Sequence, residues 1–482
     1  MSTSTYLISA VYTWGQFAPV FCLVGLAVLL LLADSFLPRL PKQIYPIVGA
    51  IGSGVAACFM MGGAHANALG ALVCGATALC LLMAWDYRAV VCASVAGGEC
   101  EEGTAEFAAL PLIATAGICA LLQARDLIML FVSLETLTLS SYALAGYFRR
   151  NQGSIEAGVK YLILGALSTG IFVFGAAWFF GTTGSFLLHH AFALNALSSP
   201  FFCTGFLVGL GMLLVGAFFK VGAAPLHTWI PDVYQGAPTP VSAFLAVASK
   251  VAGFVVLILL CDPLVQMGNT GAPLLQPVVQ ALAVVTALTL LVGNLGAIRQ
   301  QNAKRLLGYS SIGQAGFILV FFLMLNADLR FNVFFYMLAY GLATIAAFYA
   351  IGQLRLQRGH EEISAFRGLG KTNPRTAFLI TVSFASLAGV PLTGGFIAKL
   401  LSFRAFVLAE HRWDFLGWWL LPVMVVCATA GFYYYFKVLR AMYWEKPQEG
   451  ETPVRFSPVC TAVLALSALG LVAMGTLPLI FN

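Results

Sequence analysis

Apolar runs about 20 residues long recur from one end of the chain to the other, separated by short polar or turn-rich connections. A helix needs about that length to cross a hydrocarbon core of about 30 Å. The pattern therefore predicts spans near 16–34, 44–62, 69–87, 106–124, 126–147, 157–181, 201–230, 239–261, 275–297, 305–325, 331–353, 376–403, 416–440 and 457–480. No connection is long enough for an independent soluble domain. The longest lie near 86–105, with Glu99, Glu101 and Glu102, and near 354–375, which is basic. The expected fold is an all-α polytopic membrane protein with about 14 transmembrane helices.

Composition excludes the alternatives. Of the 482 residues, 60% are hydrophobic and 9% charged, against ordinary shares of about 45–50% and about 25%. So few charges could not cover the surface of a soluble protein of this size, and a disordered chain would be polar. The net charge of +6 comes from scattered basic residues without a dense stripe, so no nucleic-acid partner is expected. The Ser/Thr-rich N-terminus has no basic region and no early cleavage site, so no removable signal peptide is expected. The eleven cysteines include no CxxC pair, and iron–sulfur ligation would need clustered thiolates. His65, His189, His190, His360 and His411 fall in loops, at spacings that offer no metal site.

Loop charges orient the chain. With the N-terminus outside, sixteen Lys and Arg fall on the inner side, among them Arg88, Lys304, Arg305, Arg355 and Arg367. Only Arg125, Arg330, Arg404 and Arg412 fall outside. Both termini should then face the periplasm of a bacterial-type inner membrane.

Five lysines are left over: Lys160, Lys220, Lys250, Lys399 and Lys437. A charge at the centre of a spanning helix costs roughly 2.5–3.5 kcal/mol on insertion scales, so it marks function by default. Lys437 lies near the end of its span, where snorkelling accounts for it. Lys160 is a few residues into its span, and both readings stay open. Lys220, Lys250 and Lys399 are candidates for function, and Glu135 joins them at the middle of span 5. Such a carboxylate needs a partner or a proton. A Glu opposite a Lys can share a proton whose residence depends on their separation, which is the requirement of a relay step. His227 could relay protons between Lys220 and Lys250, or simply be a hydrogen-bonded interior histidine. Asp232 is expected to cap a helix or pair locally.

Two spans are interrupted. Span 7 carries Pro225 and Pro231, and span 12 carries Pro391, Gly394 and Gly395. Each break lies near a lysine, and the freed carbonyls need partners. Interrupted spans at corresponding positions of two halves point to an inverted-repeat transporter core. Spans 7 and 12 are five helices apart, so spans 4–8 and 9–13 would form two inverted five-helix repeats. The expected division is a three-helix segment at 1–104, repeats at 105–261 and 262–440, and helix 14 at 441–482. The stretch RGLGKT around Lys371 resembles a phosphate loop, but Ala365 stands at its first glycine position. Gly205-xxx-Gly209 reads as close helix packing.

The segments AFFKVGAAPLHTWIPDVYQGAPTPVSAFLAVASKVAGF, NAKRLLGYSSIGQAGF and GVPLTGGFIAKLLSF resemble the antiporter-like membrane subunits of respiratory complex I, over roughly residues 105–440. The wording PDVYQGAPTPVSAF and a span 11 without His or Lys resemble the N branch of that family. The L and M branches and Mrp-type sodium/proton antiporter subunits are the alternatives. The resemblance implies a proton-translocating subunit of an NADH-quinone oxidoreductase, driven by quinone reduction elsewhere. Glu135 and Lys220 would form a modulating ion pair, Lys250 the central site, and Lys399 the outward end of a hydrophilic axis. Lys160 matches a lysine of lesser standing. It further implies partner subunits of A, H, J, K, L and M type in the bilayer. NADH, FMN, iron–sulfur clusters and quinone would sit in those partners, with no cofactor in this chain.

Overall fold

The computed structural model describes residues 14–37, 39–62, 67–87, 103–188, 200–268, 275–324, 328–410, 417–446 and 454–477. Glu99, Glu101, Glu102, Arg88, Arg412, His65, His189, His190 and His411 lie outside these residues. The first six helices are α1 (Ala18–Phe36), α2 (Ile44–Met61), α3 (Ala68–Asp86), α4 (Thr104–Leu121), α5 (Leu127–Ala145) and α6 (Gln152–Thr183). Then come α7 (Pro200–Val221), α8 (Trp229–Gly236), α9 (Thr239–Phe244), a π-turn at Leu245–Ser249 and α10 (Lys250–Gly268). The second half holds α11 (Leu275–Ile298), α12 (Ala303–Leu319), α13 (Phe321–Met324) and α14 (Leu329–Arg358). It continues with α15 (Leu369–Thr372), α16 (Pro374–Ala388), α17 (Gly394–Glu410), α18 (Gly417–Tyr443) and α19 (Pro458–Thr476).

Thirteen of the described helical stretches are long and apolar enough to cross a membrane. The remaining expected span, 376–403, is present as two pieces, α16 and α17. The protein is thus an all-α polytopic membrane protein. Among the described residues there are two isolated bridges and no strand, as expected where hydrocarbon leaves backbone groups no outside partner.

Helix starts follow local chemistry. Asp126, Asn302 and Ser457 each accept a backbone N–H from the first turn, at 2.8, 3.0 and 3.0 Å, a cap worth about 1 kcal/mol. Gly175 and Gly209 bring α6 against α7: a Cβ on either would lie 2.9 Å from the other helix's backbone. Asp86 ties three elements at one end of the bundle. It accepts from Tyr349 (2.8 Å) and Gln353 (3.1 Å) of α14 and from Ser457 at the start of α19.

α1 to α3 and one face of α4 close a separate apolar cluster around Leu30, Tyr45, Leu81 and Leu112. The main core is built on the helices that hold the lysines. Stretches Thr239–Asp262 and Ala303–Met324 are 94% buried, against 28% for α6. Lys250 lies in one of these enclosed stretches, while Lys220 and Glu135 lie in helices that are 67% and 56% buried.

Candidate functional site

The first break begins where α7 ends at Val221. Gly222 follows with φ +75° and Ala224–Pro225 is cis before α8 starts. The break is therefore residues 222–228. Pro231 is not part of it, because it occupies the first turn of α8, where the missing N–H has no role. Carbonyls freed at a helix end need donors, and distant side chains supply them. The Trp229 indole donates to Phe219 O (3.0 Å), and the Lys250 ammonium donates to Val221 O (2.8 Å). The negative end of the α7 dipole faces that ammonium and favours its charge. Lys250 is the first residue of α10, 2% exposed, and also donates to Ser311 O of α12 (2.8 Å).

Lys220, in the last turn of α7, is buried and donates to the Thr138 hydroxyl of α5. Glu135 lies one turn from Thr138 and accepts from Thr169 of α6 at 2.9 Å. The expected Glu135–Lys220 pair is therefore not in direct contact: each group is held by a threonine, and no ion pair joins them within 4.0 Å. His227 is half-buried with Nδ1 unpartnered, and neither lysine bonds to it.

The second break repeats the first in outline. α16 ends at Ala388, Gly389 takes φ +87°, and α17 starts at Gly394. Lys399, 8% exposed, donates to Ala388 O (2.7 Å) and Leu387 O (3.1 Å). Pro391 lies in the break, whereas Gly394 and Gly395 open α17. Gly395 has no room for a Cβ against Ser386 O and donates its N–H to Ser386 Oγ (3.1 Å). The residue that turns the chain is Gly389, and a Cβ there would meet Lys399 Cδ at 2.9 Å.

Sequence reasoning missed what lies between the two lysines. On α12, next to the Ser311 whose carbonyl Lys250 uses, Ser310 bonds the Tyr435 hydroxyl of α18. One turn on, the Gln314 amide donates to Tyr435 (3.1 Å) and to Leu387 O (3.0 Å), and accepts from Tyr336. Leu387 O is also an acceptor for Lys399. Lys399 thus ends a buried network of hydroxyl, amide and carbonyl groups whose other end, the Ser310 hydroxyl, belongs to the chain neighbour of the residue whose carbonyl Lys250 uses. Its sequence signals were polar positions inside apolar runs: YSSIGQ at 309–314 and the tyrosines of GFYYYFK at 431–437.

A second cluster stands at the end of the bundle where α12 begins and α14 ends. Lys304, expected in a loop, begins α12 with a fully buried side chain, bonded to Ala237 O (2.6 Å) and Glu361 (3.1 Å). Arg355 also pairs with Glu361. Burial alone would push the Glu361 carboxyl up, but Lys304 and Arg355 outweigh it and hold it below the usual carboxylate value. Lys160 pairs with Glu156 (2.6 Å) and Asp232 (2.9 Å), and Asp232 also with Arg305 (2.7 Å). Asp232 is likewise held low, its hydrogen bonds from Lys160 and Arg305 outweighing burial. Glu156, Asp232, Glu361 and His360 line one open cavity of about 460 Å³. Lys437 donates to Gln300 O at 2.9 Å, a snorkelled position. Among the described residues no group of three or more His, Cys, Asp or Glu could hold a metal ion.

The family model described as NADH:quinone oxidoreductase/Mrp antiporter, TM matches residues 124–429, which contain every lysine of both breaks. The chain belongs to that family. Within this NADH:quinone oxidoreductase/Mrp antiporter family, it is 33% identical to NADH-quinone oxidoreductase subunit N of Geobacillus sp. (strain WCH70), over 97% of both chains. It is 36% identical to chloroplastic NAD(P)H-quinone oxidoreductase subunit 2 of Nephroselmis olivacea, over 80% of this chain and 73% of that one. Among solved structures it resembles a chain of respiratory complex I from Thermus thermophilus with bound aureothin. That chain is 32% identical with a TM-score of 0.75, over 95% of this chain and 97% of that one. A chain of the Mrp complex from Dietzia sp. DQ12-45-1b shares the fold, with a TM-score of 0.78 at 19% identity over 96% and 95% of the two chains.

Proposed function

We propose that this protein is the N-type proton-translocating subunit in the membrane arm of an NADH-quinone oxidoreductase. The observation that carries the reading is the buried polar network from Ser310 through Tyr435, Gln314 and Leu387 O to Lys399, which starts one residue from the Ser311 carbonyl that Lys250 bonds. Lys220 and Glu135 stand outside that network, held by Thr138 and Thr169. The similarity to subunit N relatives along nearly the whole chain supports it.

A proton taken up from the inner cavity is held on Lys250 as an ammonium facing the Val221 and Ser311 carbonyls. It then passes outward to Lys399. Bringing Lys220 toward Glu135 compensates its charge and favours the proton on Lys250, whereas drawing it away from Glu135 leaves that charge uncompensated, and its repulsion drives release of the proton from Lys250. Moving one charge against the membrane potential costs about 2.3 kcal/mol per 100 mV. That energy is delivered by partner membrane-arm subunits of A, H, J, K, L and M type. NADH, FMN, iron–sulfur clusters and quinone belong to subunits of the same complex, and this chain contributes the translocase function without a redox centre. The paired breaks support inverted repeats at 105–261 and 262–440, between a three-helix segment at 1–104 and the helix of 441–482. The loop charges support a bacterial-type inner membrane with both termini periplasmic.

In the assembled complex, Lys250→Ala and Glu135→Ala should each depress quinone-linked proton pumping, read by a pH-sensitive dye in proteoliposomes. Undiminished pumping in both would overturn the relay. The shared fold with the Mrp complex supports a second reading, cation/proton exchange. Sodium-dependent proton exchange by this chain without redox substrate would favour it.

A further inference from the structure

At the inner end of α18 a cavity of about 970 Å³ opens between its last turns and the segment near Arg367. It is not part of the proton path. Three cations line it, Arg367, Lys437 and Arg440, with two carboxylates, Glu362 and Glu445, a balance of +1. Arg367 is spent on Glu445 at 2.6 Å, and Lys437 gives one N–H to Gln300 O. The Glu362 carboxylate accepts from Ser364 at 3.2 Å. Among the described residues the exposed Arg440 side chain has no hydrogen-bond or ion-pair partner. The uncompensated charge therefore sits on Lys437 and Arg440, at the depth where a span meets the head groups.

From the cavity an apolar stripe of α18 runs the length of the span: Phe436, Tyr433, Val426, Val425, Leu421 and Trp418 are all exposed. Trp444 and Tyr433, 77% and 64% exposed, flank the cavity mouth, as aromatic residues do at a membrane interface. A free phosphate would use the cations and leave the stripe bare. A partner's apolar helix would cover the stripe and leave the cations and cavity without use. An amphiphile with one negative head group and two hydrocarbon chains uses both and closes the charge balance.

We propose that this cavity binds the head group of an anionic phospholipid, its phosphate between Lys437 and Arg440 and its acyl chains along the exposed face of α18. The site does not depend on the relay reading, since none of these residues lies on the path between the lysines.

The test uses the whole complex purified in mild detergent, comparing wild type with the Lys437→Gln/Arg440→Gln double variant. Mass spectrometry of extracted lipid should show about one phosphatidylglycerol fewer per complex in the variant, with binding about fivefold weaker per cation removed. Phosphatidylglycerol vesicles should protect wild type from thermal inactivation, while phosphatidylcholine vesicles and inorganic phosphate do not. Equal lipid content and equal protection in the two proteins would overturn the site. So would a photoreactive residue at Trp444 that cross-links only to protein. Should the double variant not assemble, Arg440→Gln alone carries the same measurements, because that side chain holds nothing in the fold.

Discussion

At the first break the lysine that bonds the freed carbonyl comes from another helix, α10, and the broken helix carries a lysine of its own in its last turn, Lys220. At the second break the bonding lysine, Lys399, belongs to the following half-helix, and the last turn of α16 has no charge. The first break also faces Glu135, whereas the second faces Phe317, whose ring centre is 5.4 Å from the Lys399 ammonium. Two cations and a carboxylate near one interruption can exchange positions of charge. One cation against carbonyls and an aromatic face can only hold a proton or give it up. Under the proposed relay, the same backbone device would serve as a gate in one half and a terminal in the other.

Lys250→Ala should break this comparison most severely, since Lys250 is the group proposed to hold the proton between uptake and release. Proton transfer in the assembled complex should fall by about 100-fold or more, with Lys399→Ala smaller in inward proton uptake though similar in net pumping. Equal loss of uptake in both would remove the distinction between gate and terminal. Gln314→Leu and Tyr435→Phe interrupt the link itself. Each should slow net pumping about tenfold while leaving single-turnover proton uptake intact, and unaltered pumping would show that the link is bypassed.

Gly389→Ala sharpens the second half alone. An alanine held at φ +87° costs roughly 1–2 kcal/mol, and its methyl group displaces the Lys399 side chain. Lowered thermal stability with reduced pumping is expected, and a fully stable, active variant would contradict the geometry.

The smallest effect concerns Glu361. Its carboxyl is held below the ordinary value of 4.5 in the folded protein. Its contribution to stability is therefore complete above that pH and is lost as the pH falls through the lower, folded value. Glu361→Gln should flatten thermal stability across that acid window, and an unchanged acid limb would assign the loss to other groups.

The spans and the four central ionisable groups were legible because water-to-hydrocarbon transfer penalises charge so steeply that Glu135, Lys220, Lys250 and Lys399 stand out unaided. Their partners were not legible, because a carbonyl is present at every residue and only tertiary structure selects Val221, Ser311, Leu387 and Ala388. Lys304 was counted as a loop charge because sequence proximity to Arg305 and Gln300 hides its burial. The 361–363 segment folds over it, with Ala303 N–H donating to Glu361 O (2.8 Å) and Ile363 N–H to Gln301 O (2.9 Å). The prolines marked where the helices stop. The glycines that make the turns, Gly222 and Gly389, look like ordinary small residues until their dihedral angles are known.

The π-turn at Leu245–Ser249 has its own consequence for Lys250, which immediately follows it. A residue in a regular α-helix advances the azimuth by about 100°, and a wider turn takes up one residue more. The π-turn therefore offsets the side-chain faces of α9 and α10 by one residue in the sequence while the two helices continue along one axis. Tightening the turn to regular α-helix with every residue kept would swivel the ammonium by about a quarter of a revolution, off both carbonyls.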